Sequence, residues 1–153
     1  MRALLHPAST SPVLTDLALL ASRVALGVIL LAHGWQKFHE YTIAGTAASF
    51  EGMGVPAPTV AAIFATIVEI VGGAALILGL LAPVAAALNI LNLLGALVLV
   101  HASNGLFVDG GGYELVLALA AGLLAVAVLG AGKFSADTLL ARRTTRTTSP
   151  LPA

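Results

Sequence analysis

Four apolar stretches, separated by short polar connections, restrict this chain more than any other feature. They run from about Leu14 to Phe38, Pro56 to Leu81, Pro83 to Asn104 and Tyr113 to Ala131. Each is long enough to cross a hydrocarbon core of about 30 Å at about 1.5 Å per helical residue, the fourth being the shortest. In lipid, every backbone N–H and C=O must be satisfied internally, and a single segment manages that as a helix. Composition agrees, since 59% of the 153 residues are hydrophobic and only 9% are charged, against about 25% in a soluble domain. The expected fold is all-α, an integral membrane four-helix bundle with the lipid bilayer as its first partner. A formal net charge of zero gives no electrostatic case for nucleic acid. The absence of cysteine excludes disulfides, thiolate chemistry, iron–sulfur clusters and Cys-ligated zinc within the chain.

The connections set the topology. Pro83 follows the second stretch so closely that stretches two and three are expected to be antiparallel neighbours. Arg23 inside the first stretch, and the lack of a small-x-small cleavage pattern, argue for a span rather than a removed signal peptide. Four spans place both termini on one side. Lys133, Arg142, Arg143 and Arg146 follow the last span, while the loops bearing Glu40, Glu51 and Asp109 hold no Lys or Arg. Positive residues stay in the cytoplasm, so both termini are expected there. Residues 1–13 read as a flexible N-terminal segment, 14–138 as the transmembrane domain and 139–153 as a disordered basic tail. Glycine and proline around Phe50–Pro56 suggest a shaped connection on the membrane surface. The glycines of Asn104–Gly112 suggest a capping turn.

A charge at bilayer depth costs about 2.5–3.5 kcal/mol on insertion scales, so it faces the bundle interior and finds a partner. Arg23, Leu26, Gly27, Leu30, His33, Gly34 and Lys37 share an arc of roughly 120° on a helix. That face is expected to pack inward, because small residues let helices approach closely in lipid. Ala62, Ala65, Glu69, Gly72, Gly73 and Leu76 form a similar stripe on the second span, and Glu114, Ala118, Ala121 and Ala125 on the fourth. Counted from the cytoplasmic ends at 1.5 Å per residue, Arg23 lies ~14 Å deep, Glu69 ~18 Å and Asn92 ~14 Å. An arginine fork, a carboxylate and an amide are thus expected to converge at mid-depth. His33, Lys37, His101 and Glu114 are expected to form a second polar cluster near the outer boundary, with Trp35, Tyr41 and Tyr113 as interfacial anchors.

Each group also has a plain structural reading. Arg23 with Glu69 is read first as a pair that fixes helix register. Asn89 and Asn92 read as interhelical hydrogen-bond donors before ligand contacts, and Lys37 can snorkel to the interface. His33 and His101 meet the minimum for two axial haem ligands. On a straight helix, however, His101 is turned about 180° from Asn92. The two point inward together only with a distortion near Asn104, so the spacing argues against haem. No nucleotide-binding, serine-hydrolase or zinc-protease motif is present, and no metal site or catalytic residue is assigned.

Several blocks, in order, resemble one family. They are Arg23-Val24-Ala25-Leu26-Gly27, His33-Gly34-Trp35-Gln36-Lys37-Phe38, Phe50 with Met53-Gly54-Val55-Pro56, Glu69-Ile70-Val71-Gly72-Gly73 with Gly79, and Gly111-Gly112-Tyr113-Glu114-Leu115. Together they resemble the DoxX family of small four-helix bacterial membrane proteins, over about Leu14 to Asp137. The resemblance implies a multi-pass protein of the bacterial plasma membrane in a redox setting. The family takes its name from a subunit of an archaeal terminal oxidase linked to thiosulfate:quinone oxidoreduction. Mycobacterial-type members are associated with a superoxide dismutase and a thiosulfate sulfurtransferase. Arg23, His33, Lys37, Glu69 and Glu114 are carried over as motif positions.

The candidate ligand-binding residues are therefore Arg23, His33, Lys37, Glu69, Asn92, His101 and Glu114, with a quinone or a small anion as ligand. The first reading is a redox-complex subunit whose electrons come from partner proteins. Its alternatives are a non-catalytic scaffold, with homo-oligomerisation left open by the small-residue faces, and, with least support, a small-molecule carrier.

Overall fold

The computed structural model describes residues 11–147 and is all-helical, with no strand among them. α1 is Pro12–Trp35, continued by a π-helical turn, Gln36–Glu40. α2 is Thr42–Gly52, α3 Pro58–Leu78 and α4 Ala82–Ala96. A second π turn, Leu97–His101, and short 3₁₀ turns at Ala102–Asn104 and Val108–Gly110 lead to α5, Glu114–Leu129. α6 is Ala136–Thr147. Among the described residues, three helical stretches are long and apolar enough to cross a membrane, Pro12–Glu40, Pro58–Leu78 and Ala82–Asn104, and α5 is a shorter apolar helix. α1 packs on α3, α3 on α4, α4 on α5 and α5 back on α1, so the four apolar helices close into a ring.

Glycines set the helix spacing. A methyl group on Gly27 would lie 2.7 Å from the Gly73 carbonyl oxygen, and one on Gly73 would lie 2.7 Å from the Leu31 nitrogen. One on Gly34 would sit 2.8 Å from the Ile70 nitrogen. The α1 and α3 backbones therefore touch along about two turns, a contact only glycine permits. The expected stripe on α3 is buried throughout, from Ala62 to Leu76. On α1, Arg23, Leu26, Gly27, Leu30 and Gly34 are buried as expected.

The tight turn at Gly79–Leu81 makes α3 and α4 antiparallel neighbours. It needs two left-handed residues, Gly79 at φ +67° and Leu81 at φ +47°. A non-glycine residue in that region costs about 1–2 kcal/mol. Asp137 holds it in place from far along the chain: its carboxylate accepts hydrogen bonds from Leu81 N (2.8 Å) and Ala82 N (3.2 Å). A carboxylate at the start of α4 also meets the positive end of that helix.

Four expectations need correction. The chain does not become disordered from residue 139, because α6 carries it in helix to Thr147. Ser135 Oγ accepts from Thr138 N, a capping contact that starts the helix. Residues 148–153, and 1–10 of the expected flexible N-terminus, lie outside the described residues, while Pro12 and Val13 already belong to α1. The shaped connection after α1, before Gly54 at φ +76° and Pro56, contains a helix, α2. Its alanines favour helix, yet at 11 residues it is too short to register as a span. On α5, Ala118, Ala121 and Ala125 are exposed, and Val116, Leu119, Leu123 and Val126 face the core. Lipid does not drive alanine inward, and the bulkier residues fill the space beside Leu26, Leu30 and Leu76. Tyr113, expected as an anchor, packs half-buried against that core, whereas Trp35 and Tyr41 are exposed.

Candidate functional site

The expected mid-depth cluster of Arg23, Glu69 and Asn92 does not form, and Glu69 and Asn92 instead join Lys37 beside His33 and His101. Arg23 does not meet Glu69. Its guanidinium, 1% exposed, donates from Nη1 to the carbonyls of Leu76 (2.8 Å) and Ile77 (2.6 Å) and from Nη2 to that of Phe134. These are carbonyls of the last turn of α3, where Leu76 O also accepts from Gly79 N at 3.2 Å, and of the segment after α5. The cause is register. With Gly27 crossing Gly73, Arg23 falls opposite the C-terminal end of α3, where the negative end of the helix favours a cation. Arg23 is a cross-chain helix cap.

Glu69 pairs with Lys37 instead. Lys37 Nζ lies 2.7 Å from Glu69 Oε2, with side chains 19% and 7% exposed. The other carboxylate oxygen accepts from Asn92 Nδ2 at 3.1 Å. Gly34 brings α1 against Glu69, and Lys37 lies one turn further along the same face. Lys37 thus turns inward rather than snorkelling. Asn89 also joins α3 to α4, donating to Val68 O (3.2 Å) and Ala85 O (2.9 Å), while its buried Oδ1 has no partner. Both asparagines are interhelical donors.

Lys37, Glu69 and Asn92 line one cavity of about 500 Å³ in the half of the bundle away from the α3–α4 turn. His33 and His101 line it too, His33 exposed and His101 half-buried. Its other walls are apolar, with Leu30, Phe64, Leu99 and Val116 from the spans and Phe50 and Met53 from α2 or just beyond it. His101 reaches the same cavity as Asn92 because the π turn at Leu97–His101 adds a residue to the helical cycle and swings it round. The distortion required by the sequence is present, a little earlier than Asn104. His101 Nδ1 lies 2.6 Å from the Gly111 carbonyl, which can only accept. The Nδ1–H therefore points to the loop, and Nε2 is the nitrogen left for other partners. Glu114 does not join this group. Its Oε1 accepts from Val108 N at 2.7 Å and closes the 108–113 turn. Among the described residues, no group of three or more metal-ligating side chains gathers.

Chemically, the cavity presents one polar patch on an apolar wall. Glu69 has both oxygens engaged, so the patch offers mainly donors: the remaining N–H groups of Lys37, the second N–H of Asn92, and His101 Nε2 when protonated.

The DoxX family model matches residues 18–102. The chain belongs to the DoxX family. The match covers more than half of this DoxX protein and includes Arg23, His33, Lys37, Glu69, Asn89, Asn92 and His101, but not Glu114. A relative in Mycobacterium tuberculosis (strain ATCC 25618 / H37Rv), the uncharacterized membrane protein Rv3486, is 33% identical over 133 residues, 80% of this chain and 81% of its own. The inner membrane protein YqjF of Escherichia coli (strain K12) is 28% identical over 130 residues, 85% of this chain and 97% of its own. No solved structure matches the chain. With its apolar helices, this DoxX protein is a multi-pass membrane protein.

Reading the sequence alone missed three things: the Lys37–Glu69 pair, the walls supplied by Phe50 and Met53, and the part played by Asp137. The first had a usable signal. Taking Gly27 and Gly73 as the crossing point of antiparallel helices places Arg23 opposite Ile77, two turns from Glu69. The other two depend on chain reversal and had none.

Proposed function

We propose that this DoxX protein is a subunit of a redox assembly in the bacterial plasma membrane and that its cavity receives a quinone headgroup. The observation that carries the reading is the donor-bearing patch at one side of an otherwise apolar cavity. Pockets for small molecules typically combine about 300–1,000 Å³ with a few placed polar groups. Quinone oxygens accept hydrogen bonds, and Lys37 and Asn92, with His101 in its doubly protonated form, would hold them while Leu30, Phe64 and Leu99 meet the ring and tail. Bound there, a quinone would supply two-electron redox chemistry, with electrons from a partner protein. The Lys37 charge is balanced by Glu69, which favours a neutral oxygen-bearing group over a small anion such as thiosulfate. The positive residues after α5 support cytoplasmic termini, with the cavity in the outer half.

A single comparison tests this. Quinone per protein is measured after gentle extraction from the native membrane, for the wild type, His101→Leu and Gly95→Phe. Gly95 lines the cavity, and a side chain there starts in open space. Phenylalanine at that position fills the cavity without backbone overlap. Quinone content should fall several-fold in both variants. Equal content in all three removes the proposal, and a protein partner retained with no small molecule favours the scaffold alternative.

A further inference from the structure

His101 brings a hydrogen-bond acceptor to the cavity. Its Nδ1 lies 2.6 Å from the Gly111 carbonyl oxygen, which only accepts, so Nδ1 carries a proton. In the singly protonated ring Nε2 is then bare, and a bare ring nitrogen accepts a hydrogen bond. A quinone has only carbonyl oxygens and gives that nitrogen nothing. A hydroquinone has hydroxyl groups. Resting on the quinone reading of this cavity, we infer that the site takes the reduced form in preference, with one hydroxyl donating to His101 Nε2 and the opposite oxygen accepting from Lys37 or Asn92.

The loop beside His101 is built to hold that tautomer. Gly111 sits at φ +79°. The Asn104 amide donates to the same carbonyl at 3.4 Å and to Val100 O at 3.2 Å. Gly112 N donates to Phe107 O at 2.9 Å, Tyr113 N to Gly105 O at 3.1 Å and Glu114 N to Leu106 O at 3.0 Å. A methyl group on Gly112 would overlap the Gly105 carbonyl oxygen. These contacts keep the Gly111 carbonyl aimed at the ring. The carboxylate of the cavity does not compete for the hydroxyl. Among the described residues, Glu69 is the one carboxylate lining the cavity, and it gives its oxygens to Lys37 and Asn92. Asn92 and His101 are nine residues apart on one continuous helical stretch, about 13 Å of rise. That leaves room for one aromatic ring with a hydrogen bond of about 2.8 Å at each para oxygen.

The test uses the full-length protein in nanodiscs at about pH 8, the neutral side of imidazole titration, with nitrogen-15 in its histidines. Tetramethylhydroquinone, kept reduced under argon, and tetramethylbenzoquinone are probes of nearly equal shape. The hydroquinone should bind about tenfold tighter, the yield of one good hydrogen bond. His101→Leu should bring the two affinities within about twofold of each other. The His101 nitrogen signals, identified by their loss in His101→Leu, should show a protonated Nδ1 and a bare Nε2 that shifts when hydroquinone is added. The affinity comparison needs only the unaltered protein, so it stands even if the variant folds poorly. Hydroquinone bound no more tightly than quinone overturns the inference and leaves the quinone reading intact. A proton on Nε2 in the unliganded protein overturns it too, as does a preference that survives in a folded His101→Leu protein. Binding of neither probe overturns the inference and the quinone reading together.

Discussion

At the residue scale, the buried charges of Arg23, Lys37 and Glu69 are met in different ways. Lys37–Glu69 is an ion pair with an amide completing the carboxylate. Removing one member of such a pair costs about 3–5 kcal/mol, while replacing both with apolar groups often costs little. Glu69→Ala should therefore lower the melting temperature in detergent sharply, and Lys37→Met with Glu69→Leu should recover much of the loss. Single variants that melt like the wild type would show that the pair contributes nothing to stability. Arg23 is a different case, because it holds three carbonyls rather than a carboxylate. Each carbonyl left unsatisfied costs about 1–3 kcal/mol. Arg23→Met should destabilise by several times that of an ordinary surface change, and Arg23→Lys should rescue it poorly, since an ammonium lacks the planar fork. Thermal melts of the two variants decide this, and full rescue by lysine would count against the fork.

At the element scale, the contact of α1 with α3 is fixed by backbone touching backbone at Gly27, Gly34 and Gly73. Side chains inserted into tight packing cost about 1–3 kcal/mol, more where backbone must move. Gly73→Ala should destabilise by at least that amount in a detergent unfolding titration, whereas Gly95→Ala, which meets open space, should leave the protein as stable or more so. The α3–α4 turn offers a second test. Asp137→Ala removes the acceptor for two N–H groups at the start of α4, and loss of such a cap costs ~1 kcal/mol. Faster amide exchange at Leu81 and Ala82 would report it, and unchanged exchange would assign the capping to solvent.

At the scale of the whole molecule, the two ends of the bundle differ. One is fastened by Arg23, Asp16 and Asp137 onto the segment after α5. The other opens into a cavity under α2 and the Asn104–Gly112 turn. Because the chain has no cysteine, single-cysteine variants can report its orientation directly. Leu139→Cys should react with a membrane-impermeant maleimide only after the cytoplasmic side is opened, and Phe107→Cys should react in intact cells. The reverse pattern would invert the assignment of the termini and of the cavity.

The sequence by itself determined the number of apolar helices, their order and the buried face of α3. Those follow from lipid excluding unpaired backbone groups and from apolar length, which are properties of each segment alone. It also placed Asn92 beside Glu69 and required a distortion to turn His101 inward. Only the tertiary structure decided which charge met which partner, because a shift of about four turns between α1 and α3 exchanges Arg23 for Lys37 at Glu69. That register is set by glycine contacts between helices, and no periodicity within one helix encodes it. The buried face of α5 was equally out of reach, since apolar residues of any size are at home in lipid and only the space left by the other helices selects among them.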